Sequence, residues 1–306
     1  MGEVKVPQND KYGAQTQRAA DNFPISGIGF NRAFIQALGI IKSSAAKANL
    51  SLGLLDPEVS EAIQQACKQI IDGSLDSEFV IDIFQTGSGT SSNMNTNEVV
   101  SHVANEENPS LKTPVHPNDH VNFGQSSNDV IPTDIRISSV VQIQQQLLPA
   151  LEYLASAFDA KGAEYAHVVK TGRTHLMDAM PVTIAQQFSG YSRQLRLGMD
   201  RITDALERLT ELPQGGTAVG TGINTDAKFG ELFAQEVAAE TGYAFKEAKN
   251  HFEAQATVDA PVEMSAQLKT VAVGMMKMAN DLRWMNSGPN SGLGEVQLAA
   301  LQPGSS

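Results

Sequence analysis

Cysteine and tryptophan are almost absent from this sequence, with one residue of each among 306. A single cysteine, Cys67, cannot form an internal disulfide, which fits a protein of the reducing cytoplasm. One cysteine also cannot hold an iron–sulfur cluster, and the six histidines show no paired spacing with cysteine or carboxylates that would predict a metal site. We therefore expect no metal and no cofactor.

Positive charge is also scarce, and long apolar runs are missing. Lysine and arginine total 22 against 34 acidic residues, so the formal net charge is −12. This balance argues against nucleic acid and against anionic membrane surfaces as partners. No apolar run is long enough to span a bilayer, and the start lacks the basic and apolar segments of a targeting signal. An anionic ligand must be attracted locally, because the overall charge repels it.

Uncharged hydrogen-bonding side chains are concentrated in three short runs. In residues 86–97, nine of twelve positions carry a hydroxyl or an amide, and none carries a charge. The second run joins residues 116–120 to residues 125–129, and the third is residues 171–175. Glycines at 87 and 89 allow a sharp turn and a close approach of the backbone to a ligand. These runs predict a site that holds an anion mainly by dipoles.

The runs closely resemble the signature segments of class II fumarases, within the fumarase/aspartase superfamily. Segments of that family appear here in the same order, at Gly87–Glu98, His116–Asp129, Gly172–Ala179 and Gly215–Gly222. The similarity extends from about Gly2 to Ser306, which is essentially the whole sequence. Several long motifs in one order are far more specific than a single short glycine motif.

The resemblance implies an all-α fold. A small N-terminal helical domain, residues 1–115, would precede a long central helix bundle, residues 116–306, with the family's C-terminal bundle helices and small C-terminal domain absent. Apolar spacing and capping residues independently predict helices at 32–50, 57–71, 97–105, 131–158, 181–211 and 251–285, with a kink at Pro149. The resemblance also implies a homotetramer in which each active site takes residues from three subunits.

The sequence stops in a turn-like stretch that matches the middle of the family's proteins. A GSSxMPxKxN signature of the family begins at Gly304, and only its first three residues are present. Either the protein was cut here, or this is part of a longer sequence. A protein ending at Ser306 is expected to aggregate or to assemble abnormally, because its bundle helices would keep uncovered apolar stripes.

The resemblance implies the reversible hydration of fumarate to L-malate, a reaction of the tricarboxylic acid cycle. In the dehydration direction, a base removes a weakly acidic proton beside a carboxylate. The resulting carbanion is stabilised as an aci-carboxylate by preorganised donors, and an acid protonates the leaving hydroxyl. No redox cofactor is needed. The chain is expected to be inactive without the family's C-terminal part.

Two catalytic residues follow from the residue-by-residue match. His175 would act with water on the hydroxyl side, since its ordinary pKa suits acid–base chemistry near neutrality. Ser305 would be the base that removes the carbon-bound proton, although a serine is a weak base unless its alkoxide is stabilised. The same match assigns substrate binding to Ser88, Gly89, Thr90, Ser126, Ser127, Asn128, Thr174 and Ser306.

The match also implies a secondary dicarboxylate site, formed by His116, Pro117, Asn118 and Asp119. A basic residue that the family often carries three positions before this histidine is Thr113 here, and Lys112 could partly substitute for it. Arg173, beside the predicted catalytic histidine, would either supply local positive potential or form a structural salt bridge.

Two other interpretations stay open. Aspartate ammonia-lyase shares the scaffold, but it typically has glutamine at the position of His175 and GAGT at Gly87–Thr90, and it often has asparagine at His116. The second alternative is a non-catalytic fragment that assembles without a complete site, and the ending at Ser306 motivates it. The sequence favours fumarase with a small dicarboxylate substrate over both.

Overall fold

Helices make up most of the structure, a computed structural model that describes residues 2–304. The helices are α1 Ala14–Asn22, α2 Arg32–Ser51, α3 Pro57–Asp72, α4 Thr90–Glu107, α5 Ser127–Gln142, α6 Leu148–Glu164, α7 Ile184–Leu209, α8 Phe229–Thr241, α9 His251–Ala256 and α10 Asp259–Met285. The strands are β1 Val169–Thr174 and β2 Met177–Thr183, which pair antiparallel, and β3 Glu211–Leu212 and β4 Lys246–Glu247, which pair in parallel. The all-α prediction is confirmed. No helix within residues 2–304 is both long and apolar enough to cross a membrane.

The described residues divide into two compact units. The first consists of the chain up to Gln142 together with Glu207–Pro261, and the second of Ile143–Leu206 together with the residues from Val262 onward. Residues beyond 115 join the first unit because α5 and α8 both pack against α2. The predicted domains, residues 1–115 and 116–306, stay a prediction.

The core of the first unit is built around α2, whose side chains are small or apolar on almost every face. Leu38, Ile41 and Ala45 are buried, and α2 packs against α3, α5 and α8. Asn31 caps the helix by accepting a hydrogen bond from the Phe34 N–H at 3.0 Å. The predicted helix at 32–50 is therefore confirmed.

The second predicted helix, α3, has caps at both ends. Asp56 accepts a hydrogen bond from the Glu58 N–H at 2.9 Å, and Pro57 occupies the first helical position, where its missing N–H costs nothing. Gly73 ends the helix in the left-handed conformation, with φ of 95°. These local signals explain why the prediction at 57–71 is confirmed to within a residue.

The first polar run is more helical than expected. α4 begins at Thr90, seven residues before the predicted start at 97, so that boundary is wrong. Asn95, in the second turn, is buried and donates to the Glu78 carbonyl at 2.9 Å. Serine and asparagine compete with helical hydrogen bonds in isolation, and here the Asn93 and Asn95 side chains bond partners outside the helix instead.

The longest predicted helices are interrupted or shortened. The prediction at 131–158 corresponds to α5 and α6, which are separated by a π-helical turn, Ile143–Leu147, just before Pro149. The prediction at 251–285 corresponds to α9 and α10, which are separated because Thr257 has an extended backbone. The prediction at 181–211 corresponds to α7, and its first residues belong to β2 instead.

The second unit contains α6, the β1–β2 hairpin, most of α7 and most of α10. Arg196 of α7 bonds Glu152 at 2.9 Å and Asp159 at 2.7 Å, which fastens α7 to α6. The Tyr191 hydroxyl donates to Asp281 at 2.8 Å, which fastens α7 to α10. The hairpin was not predicted. The third polar run, residues 171–175, lies along β1 and ends in the hairpin turn.

Candidate functional site

Three hydroxyl groups from the first and second polar runs meet where α4 and α5 begin. The Ser88 Oγ lies 2.9 Å from the Thr90 Oγ1, which in turn lies 3.2 Å from the Ser127 Oγ. Thr90 and Ser127 are the first residues of their helices, where backbone N–H groups lack intrahelical acceptors. The structure thus brings together two sets of residues that the sequence predicted to share a site. Their grouping suits an anion, since helix starts carry partial positive charge.

Gly89 makes this approach possible. Its φ is 67°, a conformation that costs other residues energy. A Cβ at this position would lie 2.8 Å from the Ile131 Cγ1, closer than packed carbon atoms come. Both the turn and the packing of α4 against α5 therefore require glycine here.

A buried carboxylate fixes the second run. Asp129 has no exposed surface, and it accepts hydrogen bonds from the Ser126 N–H at 2.9 Å, the Thr217 N–H at 2.8 Å and the Gly215 N–H at 3.2 Å. Burial raises the pKa of Asp129 to about 6, and the backbone donors and Lys42 oppose that rise. This side chain ties the start of α5 to the fourth motif, residues 215–222.

The loop of that fourth motif also holds Asn128. The Asn128 Nδ2 donates to the Ala218 carbonyl at 2.9 Å, and its backbone N–H donates to the Ser126 Oγ at 3.2 Å. The loop is held from its other side by Gln255 of α9, whose Nε2 donates to the Thr217 carbonyl at 2.7 Å. Part of the hydrogen-bonding capacity of Asn128 and Ser126 is therefore used within the protein, to shape the turn.

A buried lysine lies behind these runs. Lys42 of α2 has no exposed surface, and its Nζ donates to Asn93 at 2.8 Å, Asn122 at 2.9 Å and Gln125 at 3.0 Å. Burial lowers the pKa of Lys42 to about 7, while the charge of Asp129 acts in the opposite direction. This residue was not predicted from the sequence. Its position within the apolar stretch of α2 was the feature that could have indicated a buried lysine.

Thr174 and His175 lie at the turn of the β1–β2 hairpin, in the second unit. His175 is exposed and has a φ of 54°, and the following Leu176 has a φ of 64°. Consecutive left-handed residues without glycine are uncommon, and such backbone strain is concentrated at functional sites. The role of His175 stays a prediction, as does that of Thr174.

Arg173 forms the salt bridge that was one of its two expected roles. Its Nη2 lies 3.0 Å from the Glu295 Oε2, and Lys170 lies 3.2 Å from the same oxygen. Glu295 raises the pKa of Arg173 further above its ordinary value. The partner was not foreseen, because Glu295 is 122 residues away in the sequence.

The four residues of the predicted secondary site form a π-helical turn and its cap. The His116 Nδ1 lies 3.2 Å from the Asp119 Oδ2 and accepts a hydrogen bond from the Asp119 N–H at 3.2 Å. Both side chains are exposed. The carboxylate beside His116 opposes an anionic ligand, and the site at residues 116–119 stays a prediction.

Two predicted residues, Ser305 and Ser306, lie outside the described residues. Within residues 2–304, no three histidine, cysteine, aspartate or glutamate side chains are grouped as a metal site would need. The expectation that no metal or cofactor takes part stays a prediction.

Comparison with known proteins points to one family. The profile of a family described as lyase matches residues 2–306. A class II fumarate hydratase of Xylella fastidiosa, strain Temecula1, is 54% identical over 306 residues, which are 100% of this chain and 64% of that protein. This chain therefore spans 64% of the length of that relative.

Solved structures agree with the fold. A recombinant class II fumarase from Schistosoma mansoni aligns with a TM-score of 0.96 and 39% identity, over 100% of this chain and 68% of that one. A protein from Brucella melitensis, described as a fumarate lyase:delta crystallin bound to cobalt, aligns with a TM-score of 0.94 and 43% identity, over 99% of this chain and 67% of that one.

Proposed function

This chain belongs to the lyase family, and from that premise we propose that the protein adds water reversibly to fumarate to give L-malate, as a class II fumarate hydratase. The resemblance seen in the sequence is confirmed by relatives of that name. The observation that carries the proposal is the meeting of the Ser88, Thr90 and Ser127 hydroxyls where two helices begin.

The neutral character of this hydroxyl cluster suits the chemistry. A dicarboxylate is doubly charged already, and removal of a carbon-bound proton adds a third negative charge that spreads onto one carboxylate. Fixed hydroxyl and N–H dipoles can stabilise that developing charge without reorganisation. Ser88, Thr90, Ser127 and their neighbours Gly89, Ser126 and Asn128 are proposed to hold one end of the substrate.

The proton transfers are assigned to residues outside this cluster. His175, with water, is proposed to act on the hydroxyl side, and Ser305 on the carbon-bound proton. Thr174 and Ser306 are proposed to complete the substrate contacts. The assignment of His175 is supported by its match to the family's motif at Gly172–Ala179.

The remaining parts of the proposal follow from the family. We place the reaction in the tricarboxylic acid cycle and in the cytoplasm, which the single free, buried Cys67 fits. A homotetramer with active sites shared between subunits is proposed, as the resemblance to class II fumarases implies. The secondary dicarboxylate site at 116–119 is proposed as a peripheral binding point.

The test of the catalytic assignment is the variant His175→Asn in the full-length protein. We expect fumarate hydration, followed by loss of fumarate absorbance, to fall by about 100-fold or more, since a general acid–base group contributes that much. Assembly, measured by light scattering, should not change. The matched control is His167→Asn, an exposed histidine of the same unit, which should retain full activity.

Three outcomes separate the alternatives. Full activity in His175→Asn would refute the role of this histidine. A wild-type protein that releases ammonia from aspartate and leaves fumarate unhydrated would instead be an aspartate ammonia-lyase. A wild-type protein that assembles and catalyses neither reaction would be the non-catalytic alternative.

A further inference from the structure

Lys42 uses its whole hydrogen-bonding capacity on the segments that form the proposed site. An ammonium group has three donors, and this one has three acceptors, the side-chain oxygens of Asn93, Asn122 and Gln125. Asn93 lies one helical turn after Thr90, and Gln125 lies two residues before Ser127. Asn122 directly follows the π-helical turn, Pro117–Val121. A single side chain of α2 therefore joins the first polar run to residues 125–129 of the second run and to the segment between its two halves.

The acceptors are also bonded to one another. The Asn93 Nδ2 donates to the Asn122 Oδ1 at 3.2 Å, and the Asn122 Nδ2 donates to the Gln125 carbonyl at 3.2 Å. Gln125 in turn donates to the Val121 carbonyl at 3.0 Å. Loss of the ammonium would leave the side-chain oxygens of Asn93 and Gln125 without a donor, and Asn122 would keep only the bond from Asn93.

The three acceptors of the Lys42 ammonium are neutral, but burial lowers the pKa of Lys42 to about 7, so the group is fully charged only below neutral pH. The ammonium donates to neutral amides, so no hydrogen-bonded carboxylate cancels its charge. Asp129 and Cys67 are the titratable groups that act on it electrostatically, and the Asp129 carboxylate is itself held by three backbone N–H groups. Removal of a charge from water destabilises the folded protein, even when the charge is hydrogen-bonded. An apolar side chain of similar volume would destabilise it less, so the lysine is expected to have a role other than stability.

We propose that Lys42 is a positioning residue for the dicarboxylate: its ammonium holds the Ser88–Thr90 and Ser126–Asn128 segments in register, and its charge favours an anion bound to them. The inference rests on the proposed function and adds a determinant of affinity to it. Lys42 is not among the residues proposed to contact the substrate, so it takes no part in proton transfer. Its loss should therefore weaken binding and leave the chemical step largely intact.

The experiment compares Lys42→Met with Lys47→Met in the full-length protein. Lys47 lies on the same helix, but it pairs with Glu236 and Glu240 of α8, so the same substitution leaves the polar runs untouched. For Lys42→Met we expect the KM for fumarate to rise by about 10- to 100-fold, the cost of leaving buried polar groups unpaired. The kcat should stay within about threefold of wild type.

Binding is measured without turnover by calorimetric titration with succinate, the saturated four-carbon dicarboxylate. Its Kd should rise with the KM in Lys42→Met and stay unchanged in Lys47→Met. The variant Lys42→Gln serves if Lys42→Met fails to fold, since its amide keeps two donors for the buried side-chain oxygens and removes the charge. We expect its Kd for succinate to rise by about tenfold.

Wild-type KM and Kd values in both Lys42→Met and Lys42→Gln would overturn the inference and leave the proposed function standing. A fall in kcat with an unchanged KM would overturn it as well, since Lys42 would then affect the chemistry and not the binding. A wild-type protein that neither binds succinate nor hydrates fumarate would overturn both proposals.

Discussion

Single buried acceptors fix the loops of the first unit. Asp82, just before the first polar run, accepts hydrogen bonds from the N–H groups of Ser26 at 2.7 Å, of Gly27 at 2.8 Å and of Phe84 at 2.8 Å. Burial raises the pKa of Asp82, but these backbone donors and the Ser26 hydroxyl outweigh it and lower the pKa to about 2. The ionised carboxylate therefore joins two segments that are 56 residues apart.

This arrangement predicts a pH dependence of stability at the level of one residue. The pKa is lower in the folded state than the ordinary 3.8, so the contribution is fully present above about pH 4 and is lost as pH falls towards 2. Urea unfolding between pH 5 and pH 2 should show a steeper loss in wild type than in Asp82→Asn. Equal slopes would contradict this, and the exposed Asp21→Asn serves as the control that keeps the wild-type slope.

At the level of elements, α1 depends on a side chain of another helix. The Glu98 carboxylate of α4 accepts hydrogen bonds from the N–H groups of Gly13 at 2.9 Å, Gln15 at 3.0 Å and Thr16 at 3.0 Å, and from the Thr16 hydroxyl at 2.6 Å. These are the donors that a helix start leaves without acceptors. A helix of nine residues is marginal by itself, so α1 is stabilised by this contact.

The variant Glu98→Ala should therefore unfold α1 locally. We expect faster amide exchange over Ala14–Asn22 and a loss of about 1 kcal/mol in the free energy of unfolding, because partly buried donors lose their acceptor. Hydrogen exchange with mass spectrometry gives the first readout, and denaturant titration the second. Glu61→Ala, an exposed position on α3, should leave both unchanged. Wild-type protection of residues 14–22 in Glu98→Ala would show that α1 holds without the cap.

At the scale of the whole molecule, an apolar stripe on α10 stays uncovered. Val262, Val273, Met276 and Trp284 are 59%, 64%, 64% and 62% exposed, and their helical spacing places them on one face. Exposed apolar side chains grouped on one helix face mark contacts between proteins, and Lys269 and Asn280 are the polar residues that interrupt this face. The stripe agrees with the proposed tetramer, in which copies of this chain pack helices together.

The stripe predicts that the chain associates with itself. Multi-angle light scattering should give a mass well above that of one chain, and the double variant Val273→Glu and Met276→Glu should shift the population towards smaller species. The reason is that two buried charges would oppose the contact of apolar faces. A monodisperse monomer of the unsubstituted chain would contradict this prediction.

The sequence by itself determined the helix boundaries that depend on residues close by in the chain. The caps Asn31, Asp56 and Gly73 act on residues within a few positions, so α2 and α3 were predictable to within a residue. The all-α class and the family followed from helical spacing and from four motifs in one order. The sequence also selected the polar runs, and two of these contribute hydroxyl groups that meet in the first unit.

Only the tertiary structure decided those helix boundaries and buried side chains that depend on partners far apart in the sequence. The start of α4 at Thr90 and the burial of Lys42 depend on hydrogen bonds between residues that lie far apart in the sequence. Asp129 likewise accepts hydrogen bonds from the N–H groups of Gly215 and Thr217, which lie 86 and 88 residues away. A side chain's own propensity and its near neighbours carry no information about such partners. The turn at His175 was not predicted for another reason: both central residues of the two-residue turn between β1 and β2 have positive φ, and neither is glycine.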